Sequence, residues 1–63
     1  MKLEINPHGI TIIYHDEGVY LHYVVSSSDD YEIELFFKDE DAIQKEFGKS
    51  INEIDGIDMI AHS

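Results

Sequence analysis

The chain has 63 residues, with 14 Asp and Glu against 4 Lys, no Arg and no Cys, and a formal net charge of −10. A chain this short makes one small domain, 1–63, that hides only about 60% of its unfolded surface, so its core is marginal and association with a copy or a partner is expected. Without Cys there is no disulfide, thiolate zinc site or thiol redox chemistry; the charge opposes direct nucleic-acid binding, which rests on Lys and Arg; and 43% hydrophobic residues exclude a disordered acidic tail.

Met1-Lys2-Leu3-Glu4 lacks the basic segment and apolar run of a secretory signal. No apolar stretch approaches the ~18–20 residues of a membrane span, so the expectation is a cytoplasmic protein without membrane contact.

Residues 1–37 alternate with period 2 and predict four strands, about 1–6, 10–14, 19–25 and 31–37. Asn6-Pro7-His8-Gly9 and His15-Asp16-Glu17-Gly18 carry turn chemistry, and Ser26-Ser27-Ser28-Asp29-Asp30 reads as a loop. Strands in sequence joined by short loops make an antiparallel meander. A four-residue turn at 6–9 pairs Ile5 with Ile10 and Leu3 with Ile12. The turn at 15–18 pairs Tyr14 with Val19, and a five-residue loop at 26–30 pairs Val25 with Tyr31 and Leu21 with Leu35. These registers place Leu3, Ile5, Ile10, Ile12, Tyr14, Val19, Leu21, Tyr23, Val25, Tyr31, Ile33, Leu35 and Phe37 on one face.

That face needs a cover, and the last third of the chain supplies one, giving an α+β fold. Asp39-Glu40-Asp41 opens a helix at about 40–47 through side-chain capping and acids in the first turn; Ala42, Ile43 and Phe47 form its apolar stripe and Gly48 stops it. Ser50 and Glu53 have capping-box spacing, and Gly56 closes a short second helix at about 51–55 carrying Ile51 and Ile54. Ile57-Asp58-Met59 alternates, so 57–61 is read as a short strand in preference to a helix continued through Gly56.

The segment 47–54 resembles the turn of helix-turn-helix DNA readers, with Gly48 in the turn and Ile54 six residues on. Gln44, Lys49 and a second helix offering Asn52, Glu53 and Asp55 without Arg depart from that pattern, and two short helices covering a sheet explain the same residues. His8, His15 and His22 are spaced by seven, yet a strand of that length separates His8 from His15 by roughly 23 Å, so no shared metal site is expected. His15-Asp16-Glu17 reads as a polar hairpin turn. The serines, histidines and acids form no placeable catalytic set, and the expectation is a protein with no cofactor and no enzymatic activity.

On the sheet face away from the helices, the same registers give cross-strand rows Lys2, Ile13, Tyr20, Phe36, then Glu4, Thr11, His22, Glu34, then Asn6, Gly9, Val24, Glu32. Ile13, Tyr20 and Phe36 make an apolar row on a face that should otherwise be polar, so they are candidate interface residues together with His22 and Glu34. On the helices, Asp39, Glu40, Asp41, Glu46, Glu53, Asp55 and Asp58 are candidate partner-binding acids.

Carboxylates at about one net charge per six residues can imitate a phosphate array and steer association. The functional expectation is a small acidic inhibitor or adaptor, possible as a nucleic-acid mimic, occupying a basic surface on a DNA- or RNA-processing enzyme. In size, acidity and lack of motifs the chain resembles phage-encoded inhibitors and nuclease immunity proteins in general character, and no residue is carried over from them. The alternative is a homodimeric structural or assembly module built on the Ile13, Tyr20 and Phe36 face, with the charge serving solubility. The partner is then a basic protein or a second copy of the chain.

Overall fold

The structure, a computed structural model, describes residues 1–26 and 30–63. Strands β1 (Lys2–Ile5), β2 (Thr11–His15), β3 (Gly18–Val25) and β4 (Tyr31–Phe37) form one antiparallel sheet in sequence order. Helix α1 (Glu40–Phe47), a 3₁₀ turn at Ile51–Glu53 and helix α2 (Gly56–Ala61) follow. This is the expected α+β meander with a helical cover. The core is Ile10, Ile12, Val19, Leu21 and Ile33 from the sheet against Ile43, Ile51, Ile54 and Met59 from the helical segment.

Two of the three expected registers hold. Tyr14 pairs with Val19 and Ile12 with Leu21, although the strands run on to His15 and Gly18 and leave only Asp16-Glu17 as the turn. Val25 pairs with Tyr31 and Leu21 with Leu35. The central residues of the expected 26–30 loop, 27–29, lie outside the described residues.

The first register differs by one residue. Leu3 pairs with Ile13 and Ile5 with Thr11, in place of Ile12 and Ile10. The cause is the turn. Asn6 and Ile10 are themselves a pair, with the Asn6 N–H on the Ile10 carbonyl at 2.9 Å, and the Gly9 N–H closes the turn on the Asn6 carbonyl at 3.1 Å. Gly9 stands at φ 84, in the left-handed region that costs glycine nothing. The loop is therefore the three-residue form with a left-handed glycine, not a four-residue turn. A one-residue slip turns a whole strand over, so Leu3 and Ile5 leave the core face while Lys2, Glu4 and Asn6 join the helix side.

Asn6 repays its place there with hydrogen bonds. It is buried, its Oδ1 accepts from the N–H groups of His8 and Ile10, and its Nδ2 donates to the carbonyls of Ile51 and Ile54 at 3.0 and 2.9 Å. All four bonds are local or cross-layer ties that a buried amide needs in order to be tolerated.

Helix α1 begins and ends as expected. Asp39 accepts the Ala42 N–H at 2.8 Å, and Gly48, left-handed at φ 70, sends its N–H to the Gln44 carbonyl. Beyond it the assignments change. Ser50 caps no backbone group; its hydroxyl donates to the Glu53 carboxylate at 2.9 Å, and the expected 51–55 helix is a three-residue 3₁₀ turn. The capping box lies five residues later. Asp55 accepts the Asp58 N–H and Asp58 accepts the Asp55 N–H, opening α2 over the segment expected to be a strand. Gly56 thus starts a helix instead of ending one. A Cβ there would come within 2.5 Å of the Tyr23 ring, so glycine is what lets α2 seat on β3.

Candidate functional site

Alternation from the observed registers defines the open face of the sheet. Its central row is Leu3, Ile13, Tyr20 and Phe36, and the next is Ile5, Thr11, His22 and Glu34. Leu3 and Ile5 stand where Lys2 and Glu4 were expected, and Asn6 is absent from the face because it is buried under the helices. The candidate interface residues Ile13, Tyr20, Phe36, His22 and Glu34 are brought together, and the face is more apolar than expected because it also carries Leu3 and Ile5. Leu3 is 58% exposed, Ile5 68%, Phe36 51% and Val24 49%. The one sequence feature that bears on Leu3 and Ile5 is Asn-Pro-x-Gly, which suits a three-residue hairpin loop closed by a left-handed glycine as well as a four-residue turn.

The aromatic groups on this face are ordered by one another. Tyr20 and Phe36 lie with ring centroids 4.9 Å apart, and His15 meets Tyr20 edge-on at 5.2 Å. Phe36 also lies over Gly18, where a Cβ would come within 2.6 Å of the ring. His22 faces Glu34 in register. Its Nε2, however, is 3.1 Å from Oε1 of Glu32, one step along β4, and Glu4 lies on the other face of the sheet. His22 therefore stands beside Glu34 as the register requires, and its side-chain contact is with Glu32, a diagonal neighbour within reach of a long side chain.

The seven helix-segment acids divide by what holds them. Asp39, Glu40, Asp41, Glu46 and Glu53 are exposed. Asp39 caps α1, Glu53 accepts from the Ser50 hydroxyl, Glu40 accepts from the Tyr14 hydroxyl at 3.4 Å, and Glu46 lies 3.5 Å from Nδ1 of His62. Asp55 and Asp58 are half-buried in the α2 capping box, and Asp58 also binds Lys49 Nζ at 2.9 Å. The Lys49 ammonium and the Asp55 N–H hold the Asp58 carboxyl below the usual carboxylate range, and Asp58 in turn raises Lys49. Tyr14 is pushed up, first by burial and then by the nearby charges of Glu40 and Glu4.

On the helix side, Lys2 pairs with Glu4 at 2.9 Å and its ammonium lies 5.5 Å from the Tyr14 ring centroid, so it covers that ring and not the Tyr20–Phe36 row. A concavity of about 400 Å³ beside the second hairpin is lined by His15, Asp16, Glu17 and Tyr20. Among the described residues no group of three or more His, Asp or Glu is placed to hold a metal ion, and no helix is long and apolar enough to cross a membrane.

The fold and these surfaces define a small acidic α+β domain with an apolar open sheet face on one side and a carboxylate-rich helical layer on the other. No protein-family model, curated protein or solved structure matches this chain.

Proposed function

We propose that the protein is a small acidic inhibitor or adaptor that occupies a basic surface on another protein through the carboxylates of its helical layer. The observation that supports this reading is the holding of those carboxylates. Asp39, Glu53, Glu40 and Glu46 are exposed; Asp39 and Glu53 are held by hydrogen bonds of 2.8 and 2.9 Å, and Glu40 and Glu46 have looser neighbours at 3.4 and 3.5 Å. A carboxylate has about four acceptor positions, so each keeps most of its capacity for Lys or Arg from outside. Carboxylates already restrained lose less side-chain entropy on binding. With a net charge of −10, such an array suits a surface that otherwise takes phosphates, and it suits fast, salt-sensitive association.

The experiment is affinity capture on the immobilised chain from a bacterial lysate at low salt, followed by a salt step, run beside a Glu40→Gln, Asp41→Asn, Glu46→Gln variant. These three positions avoid both helix caps. The expected result is a basic nucleic-acid-processing protein that elutes with salt and binds the variant several-fold more slowly. Capture that is empty, or equal for the variant and indifferent to salt, contradicts the reading.

A further inference from the structure

The open sheet face needs an account that the acidic layer does not provide. We propose that it is the interface of a homodimer, in which two copies of this chain pack sheet on sheet around a two-fold axis. The proposal stands independently of what the helical layer binds.

The face has the size for it. A standard interface takes about 800 Å² from each partner. That is roughly a fifth of the 4233 Å² this chain exposes, and one broad face of a domain measuring 34 × 25 × 19 Å can supply it. The chain also has reason to cover it, since a domain this small gains a large fraction of its stability from any further apolar burial.

The face is complementary to itself. Its central row is aliphatic at one end, Leu3 and Ile13, and aromatic at the other, Tyr20 and Phe36. A two-fold axis along the strands lays Leu3 of one protomer on Phe36 of its partner and Ile13 on Tyr20, so each aliphatic side chain meets a ring. The same operation resolves the charge. Among the described residues the acids that alternate onto this face are Glu32 and Glu34, both on β4, and the axis sets β4 over the acid-free open side of β1. Sheets stacked with nearly aligned strands are an ordinary packing. The remaining repulsion between two chains of −10 comes from acids off the face and is screened within about 10 Å at moderate salt.

Sedimentation equilibrium of the full chain over a wide concentration range, at low and high salt, tests this. The expected result is a mass of two chains, with association strengthened by salt. Leu3→Glu and Ile5→Glu, the second set against Glu34 of the other copy, should each weaken association about tenfold or more while leaving the far-ultraviolet spectrum unchanged, because both side chains are already exposed in the single chain. Ile57→Glu, 78% exposed on α2, should leave the dimer intact. A single-chain mass at every concentration and both salts overturns the proposal, as does a dimer that survives both sheet-face variants or one dissolved by Ile57→Glu. A single chain that still captures a basic protein overturns the dimer and leaves the acidic-layer reading standing.

Discussion

The side-chain amide of Asn6 donates to the carbonyl of Ile54 at 2.9 Å, tying the end of the first strand to the chain 48 residues later. The Ile51 carbonyl receives the other amide proton. One buried polar residue thus fixes the first turn, the register of β1 and the seat of the helical segment together.

Replacing Asn6 with Ala should be among the most damaging single changes in this protein. It leaves two carbonyls and two N–H groups without their partner, each worth about 1–3 kcal/mol when buried. The expected loss in urea unfolding is about 3–5 kcal/mol, enough to unfold much of a domain this small. A loss under about 1 kcal/mol would mean that water replaces the amide, and that the tie is not structural.

Gly9 sets which face β1 shows. A Cβ there meets nothing within 4 Å, so the cost of Gly9→Ala is the left-handed backbone alone. About 1 kcal/mol is expected for Ala and less for Asn, which tolerates that conformation. Equal unfolding midpoints for the two variants would contradict the turn geometry.

Stability should fall on acidification through the Asp58 carboxyl. Its folded-state pKa lies below the ordinary value of 3.8, because Lys49 and the Asp55 N–H favour the charged form. The stabilisation is therefore present above the unfolded pKa and is lost as pH falls through the folded one. Lys49 acts at the other end. Raised above 10.5, it contributes fully below that value and stops contributing as pH rises through its folded pKa. Asp58→Asn should flatten the stability–pH curve below about pH 4 and reduce the Lys49 contribution at high pH, since Asp55 and Glu53 also raise Lys49. An unchanged acid limb would show that the pair does not stabilise the fold.

Much of this architecture was legible in the residues, and the gaps have physical reasons. Alternation from Tyr31 to Phe37 and the Asp39 to Gly48 frame specify one face and one helix with little competition, and both are found as read. Asn6-Pro7-His8-Gly9 is different, because its composition suits both a four-residue and a three-residue loop, and the choice is made by Asn6 reaching carbonyls far along the chain. Gly56 misled for a related reason. Glycine ends helices more often than it begins them, and only the close approach of Tyr23 explains it as the first residue of α2. The candidate interface at Ile13, Tyr20 and Phe36 was legible from strands that pair correctly, whereas Leu3 and Ile5 were hidden behind the turn.

The most direct test of two chains meeting through the open face is an isotope-filtered NMR experiment on a mixture of labelled and unlabelled chains, which reports only contacts between copies. The expected result is intermolecular cross-peaks from the Leu3 and Ile13 methyl groups to the Phe36 and Tyr20 rings. Cross-peaks confined to Ile57 and Ile60 on α2, or none in a sample concentrated well beyond physiological levels, would contradict it.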